Sequence, residues 1–271
     1  MPTQDYSFKA FSAHAFFRQV HTWLVDRAGL DRASSVVDVA CGSGLVTELI
    51  RERIRGARDA MIVALDVSSS ALKDARARMA GMAGAAVEFV EGKAEELSTL
   101  VRTKVDTVVF CNGIHYVEDK RLVLHEVHET LRPGGTFAFN TAFFDGAELP
   151  ETLPFYRRWM IKSLRLLKSR YGVSPDRTKV EARRQLTAEQ YVEALRAEGF
   201  AVRVQELVPA TLSQDGWLDI SRFADFAQGT LPGIPVAQAT EVLCDAIRDT
   251  FAEMQLSGVA RNWLSIVAAR A

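Results

Sequence analysis

Apolar residues at 36, 37 and 39 flank a single aspartate and run into two glycines, after which apolar residues at 45, 46, 49 and 50 recur at helical spacing. Residues 36–50 therefore read as a buried parallel strand, a tight turn and a helix. The signature repeats. Strands are predicted at 61–66, 86–90 and 105–110, helices at 68–80 and 120–131, and a fifth strand at 136–142 after the break Arg132-Pro133-Gly134-Gly135. Ahead of them, residues 10–28 read as one amphipathic helix with Phe16, Val20, Trp23 and Leu24 on a single face. Beyond 142 the alternation stops, and it resumes at Thr187, which with Gln190 has the spacing of a capping box. A sixth strand is predicted at 200–204 and the last at 263–268. The expected fold is α/β: a doubly wound, mostly parallel seven-stranded sheet with helices on both faces, plus a helical lid made by two insertions. The boundaries are residues 1–142 for a ligand-binding core with an N-terminal helical flap, 143–186 for the first lid insertion, 187–210 for the core continued, 211–258 for the second lid insertion and 259–271 for the last core strand.

Composition narrows the function classes. With 271 residues, 48% of them hydrophobic, the chain has material for a large core. Thirty-three basic and 34 acidic residues leave a formal charge of -1, which gives no global field for nucleic acid, and none is expected as partner. Three cysteines at no metal-binding spacing argue for a reducing compartment and against a metal site. No run is apolar enough to span a membrane and the first residues carry no export signal, so the expected location is cytoplasmic.

The chemistry gathers at predicted strand ends. Glycines at 42 and 44 let a backbone approach a ligand where a helix amino terminus offers free N–H groups. Asp66, ending the second strand, is placed to accept hydrogen bonds from the hydroxyls of a ribose. A dinucleotide fingerprint would carry a third glycine at 47, where the chain has Thr47, which makes a nucleotide-dependent oxidoreductase the runner-up. Taken together, Asp38-Val39-Ala40-Cys41-Gly42-Ser43-Gly44, Asp66-Val67, Glu91-Gly92-Lys93-Ala94-Glu95 and Phe110-Cys111-Asn112-Gly113-Ile114-His115-Tyr116 resemble the motifs of the class I, Rossmann-like S-adenosylmethionine-dependent methyltransferases of small-molecule type. The resemblance covers the first 142 residues and implies S-adenosylmethionine as cofactor. It implies further that Asp38, Ala40, Cys41, Gly42 and Gly44 form the first motif around the methionine and ribose, that Asp66 holds the ribose, and that Val67 stacks on the adenine. Lys93 stands where the family usually has an aspartate, so adenine contacts fall to the Ala94 backbone and to Glu95. Asn112 approaches the methionine end, and Tyr6 is the flap residue.

His115 is the candidate catalytic base, able to take a proton from a hydroxyl or an acidic carbon near neutral pH; the alternative is a histidine that shapes the pocket. The aromatic residues of the insertions, among them Phe155, Trp159, Trp217 and Phe226, suggest a small, largely apolar acceptor. O-methylation is preferred, with C-methylation of a polyketide-like or isoprenoid-like carbon as the alternative and a non-catalytic cofactor-binding protein behind both. Six basic residues over 157–170 flank an apolar stripe, which suits an acidic substrate group, a carrier protein or a membrane surface, or a plain solvated face.

Overall fold

The computed structural model describes residues 6–54, 60–176 and 185–271; residues 1–5 of the N-terminal stretch and 177–184 of the first expected insertion lie outside the described residues. The chain divides into two compact units. One comprises Arg18–Ala147, Leu186–Val208 and Trp263–Ala271, and the other Met1–Phe17, Glu148–Gln185 and Pro209–Asn262.

The first unit is built on the sheet. The strands are β1 (Ser35–Val39), β2 (Met61–Asp66), β3 (Ala86–Glu91), β4 (Val105–Cys111), β5 (Leu131–Thr141), β6 (Phe200–Leu212) and β7 (Val259–Arg270), in the order β3-β2-β1-β4-β5-β7-β6, and this unit holds β6 as far as Val208 and β7 from Trp263. Strands β1 to β5 pair in parallel and β7 runs antiparallel to β5. Side chains alternate between faces with period two. Val37, Val39, Val108, Phe110, Phe137 and Phe139 join one apolar cluster with helices α6 (Lys120–Thr130) and α8 (Ala188–Ala197). Val36, Ile62, Val109 and Ala138 join the other with α2 (Ala15–Val25) and α3 (Leu45–Arg53). The expected doubly wound sheet, covered on both faces, is present.

Tertiary pairing moved several boundaries. Arg132-Pro133-Gly134-Gly135 is not a break before β5 but part of it: Leu131 already pairs with Val105, and the register shifts before Thr136 meets Thr107. Proline and a left-handed Gly134 mark that irregularity, as they do in a bulge. The predicted helix over 10–28 is two, α1 (Lys9–Ser12) and α2. The chain tightens between them, with the Ala13 and His14 N–H groups donating to carbonyls three residues back. The capping box at Thr187 and Gln190 forms with both of its bonds.

The second unit is helical. α7 (Leu153–Tyr171) packs on α11 (Val236–Met254), with α9 (Gln214–Arg222) and α10 (Ala224–Thr230) beside it. Its centre is aromatic: Trp217 lies 5.1 Å from Phe155 and 5.5 Å from Trp159 between ring centroids, and the Trp159 indole N–H donates to the Leu243 carbonyl. These side chains, read from sequence as facing an acceptor, are packed against one another because helices that bury one face each need a core of their own. Trp217→Ala should accordingly destabilise the protein by about 3–5 kcal/mol, measured as a lowered denaturation midpoint. The basic helix is also largely accounted for. Arg158 and Lys162 pair with Glu253, and Arg170 with Glu241 and Asp245, all on α11. Arg157, Arg165 and Lys168 remain outward beside the exposed Ile161 and Leu164. Among the described residues no helix is long and apolar enough to cross a membrane.

Candidate functional site

The carboxyl ends of β1, β2 and β4 lie side by side, since Val39 pairs with both Leu65 and Phe110. The turn after β1 is the tightest feature there. Ala40, Gly42 and Gly44 all have positive φ (53°, 53° and 83°), and the Gly44 N–H donates back to the Cys41 carbonyl. A non-glycine residue at such a φ is strained and persists only where the surroundings hold it. Gly44 must be glycine twice over, for a Cβ there would sit 3.1 Å from Ala75 on helix α4 (Ser69–Met79). Gly42 differs, because a Cβ there would meet no protein atom within 4 Å. Its bareness opens space beside the turn that the chain itself does not fill.

Asp66 ties this turn to the second strand. One carboxylate oxygen accepts from the Gly42 N–H at 2.8 Å and the other from the Ser68 N–H at 2.9 Å. A carboxylate has about four acceptor directions, so Asp66 shapes the turn and retains capacity for the hydroxyls of a ligand. Val67, beside it, is 65% exposed, an apolar side chain with its face free for a flat ring. The chain after β3 comes to the same edge, where the Gly92 N–H donates to the Asp66 carbonyl. Of the three residues expected there, Ala94 is buried, Glu95 half-buried and Lys93 exposed.

Asp38 lies beneath the turn rather than in its mouth. It is 1% exposed; one oxygen accepts from the Thr47 hydroxyl at 2.6 Å, and the other is buried with no partner among the described residues. Burial pushes its carboxyl up to about 7; the Thr47 hydrogen bond opposes this and the Asp66 charge adds to it. Burial also raises the Cys41 thiol, keeping it neutral. In an unfolded chain the Asp38 carboxyl ionises near pH 4. The folded state is then the better proton binder between that pH and about 7. Stability should fall as pH rises through this window, by about 1.4 kcal/mol per pH unit from this group, and level off above it. In urea unfolding across that range, Asp38→Asn should flatten the fall.

Strand β4 supplies the rest. Asn112, with φ of 48°, is buried and turns the chain into Gly113, whose absent Cβ would lie 3.0 Å from that of Ala40. The β4 loop and the first turn are thus in contact. His115, half-buried, places Nδ1 3.0 Å from the Thr141 hydroxyl, with its ring 4.1 Å from Tyr116 and 4.4 Å from Phe143 between centroids. The Thr141 oxygen accepts from the Phe143 N–H at 3.0 Å and lies 3.3 Å from the Phe143 carbonyl. Tyr6, the expected flap residue, belongs to the helical unit, where its carbonyl accepts from the Ala224 N–H. His14 is in that unit too, 2.9 Å from Asp219.

Sequence reading missed Thr47, Asn140 and Thr141. The available signal was polarity out of pattern: a hydroxyl on the buried stripe of α3, and two polar residues directly after the apolar run Phe137-Ala138-Phe139.

Comparison with known proteins agrees with this geometry. Residues 36–135 match the family model described as "Methyltransferase domain". Methyltransferase gedG of Aspergillus terreus is 28% identical over 141 residues, 51% of this chain and 41% of that protein. The ubiquinone biosynthesis O-methyltransferase of Pseudomonas paraeruginosa is 28% identical over 119 residues, 44% of this chain and 48% of that protein. The chain thus spans less than half the length of these relatives. Among solved structures, a proposed methyltransferase from Bacillus halodurans superposes with a TM-score of 0.60 at 17% identity, covering 93% of this chain and 99% of that one. A phosphoethanolamine N-methyltransferase from Haemonchus contortus, solved with S-adenosylhomocysteine, gives 0.56 at 15% identity, covering 97% of this chain and 56% of that one. At such identities the structures establish the fold, and the matched segment contains the turn, Asp66 and the β4 loop. Residues 36–135 are thus similar to a methyltransferase domain, and the seven-stranded sheet has the Rossmann-like fold of the class I S-adenosylmethionine-dependent methyltransferases.

Proposed function

We propose that the protein transfers a methyl group from S-adenosylmethionine to a small, largely apolar acceptor, with a hydroxyl oxygen as the preferred accepting atom. The observation that carries the reading is the Gly42 turn, bare on its outer side and tied by its N–H to the Asp66 carboxylate. The cofactor, when bound, supplies a methyl already activated on a sulfonium. Asp66 would hold the ribose hydroxyls, Val67 and the Ala94 turn the adenine, and Ala40, Cys41, Gly42 and Asn112 the methionine end. The orphaned oxygen of Asp38 beneath the turn suits a donor such as that end's ammonium group. Because the methyl is activated beforehand, the chain's main task is to hold an acceptor in line and keep water away.

His115 adds a base. In the tautomer whose Nδ1–H donates to the Thr141 oxygen, with the Thr141 hydroxyl donating to the Phe143 carbonyl, Nε2 is the unprotonated nitrogen and the one that would accept a proton. Tyr116 and Phe143, packed on the imidazole, make its surroundings apolar, and the relative named for ubiquinone biosynthesis fits an acceptor of that kind.

The test supplies cofactor labelled in the methyl group to the purified protein, with hydroquinones, phenols and hydroxylated polyketides as acceptors. Label in the organic phase that ether cleavage releases supports the reading. Label resistant to cleavage replaces it with carbon methylation. Cofactor binding with no transfer to any acceptor, including an extract of the source cells, leaves a non-catalytic binding protein.

A further inference from the structure

One buried histidine stands outside the proposed reaction. His21, on α2, is wholly buried, and its Nδ1 lies 3.0 Å from the side-chain nitrogen of Asn140 on β5. Strand alternation explains the meeting, for Asn140 follows Ala138 on the face that α2 covers. The Asn140 amide cannot be turned round, since its oxygen accepts from the Asn112 N–H at 3.0 Å, a bond shared with the Asn140 carbonyl at 2.9 Å. Its nitrogen therefore donates to His21, and Nδ1 must be the unprotonated nitrogen of a neutral ring. Burial, which drives the imidazole down to about 3, keeps it so. From Asn140 the chain of bonds reaches Asn112, whose own side-chain oxygen accepts from the Ala142 N–H at 3.0 Å. Asn112 is thereby fixed from both sides in its left-handed conformation, a state asparagine tolerates better than most residues. It is the residue at which β4 leaves the sheet for His115.

We infer that His21 is a positioning residue for the methyl-transfer site: acting through Asn140, it locks Asn112 and with it the loop that carries His115. The inference rests on the reading of His115 and Asn112 given above. A histidine that merely filled the core would be replaceable by any side chain of its volume, whereas this one is an acceptor at a fixed point. His21→Asn can place an oxygen where Nδ1 lies; His21→Leu cannot, and strands the Asn140 amide, a buried donor costly to leave unpaired.

Nitrogen NMR of 15N-histidine-labelled protein tests the bond itself. His21 should be the neutral tautomer protonated on Nε2 at neutral pH, and an Nδ1-protonated ring would overturn the inference without any variant. The second arm follows the backbone amides of Asn112, Gly113 and His115. His21→Leu should shift them and His21→Asn should restore them. Unmoved amides in a folded leucine variant would reduce His21 to packing. Once an acceptor is known, kcat should drop at least about tenfold in His21→Leu, with recovery in His21→Asn. The NMR arms need neither acceptor nor turnover, so failure of the proposed activity would leave them standing, and their failure would leave the activity standing.

Discussion

Replacing His115 with alanine is expected to lower kcat by about 10²- to 10⁴-fold, the range typical of a general base, while S-adenosylhomocysteine binds nearly as before. The split follows from position. Asp66 and the Gly42 turn sit at the ends of β2 and β1, whereas His115 stands beyond β4 against Tyr116, Phe143 and Thr141. Thr141→Val should give a smaller loss of the same kind, because a valine neither accepts from Nδ1–H nor donates to the Phe143 carbonyl, and the tautomer is no longer selected. Steady-state kinetics with calorimetry on both variants decides it. Equal losses of turnover and cofactor affinity would make His115 a structural residue.

The second large effect is on cofactor binding. Asp66→Ala removes an acceptor for ligand hydroxyls and also frees the N–H groups of Gly42 and Ser68. Affinity for S-adenosylhomocysteine should fall by more than tenfold, above about 1.4 kcal/mol. The apoprotein should also melt lower, since the Gly42 turn loses its tether. Asp66→Asn separates the two roles: its single amide oxygen can keep one of these bonds, and its amide nitrogen supplies a donor where the wild type has an acceptor. Unchanged affinity in both variants would remove Asp66 from the site.

What sequence made legible was local. The second strand, ending at Asp66, falls where alternation and β-branched residues place it, and the Thr187 and Gln190 box needs only three residues' separation to be seen. The first turn was legible too, because glycines at 42 and 44 admit the positive φ that a tight turn needs and other residues avoid. Reading failed where distant chain decides. Arg132-Pro133-Gly134-Gly135 has the composition of a turn, yet Leu131 already has a partner in β4. Trp159 and Trp217 have the composition of a ligand pocket, yet each is the other's neighbour. The bond between His21 and Asn140 joins residues 119 positions apart, and no spacing rule links them. Asp38 is an intermediate case. Its motif position was evident, but its burial and its dependence on Thr47 appear only once α3 is laid over β1.

The central claim is that the Gly42 turn and Asp66 together bind the adenosine-bearing cofactor, and calorimetric titration with S-adenosylhomocysteine tests it most directly. The wild type should bind one equivalent. Gly42→Ala, whose added methyl projects into the space the protein leaves open, should bind at least about tenfold more weakly while still unfolding cooperatively. No heat from the folded wild type, or equal affinity in the two proteins, would contradict the account.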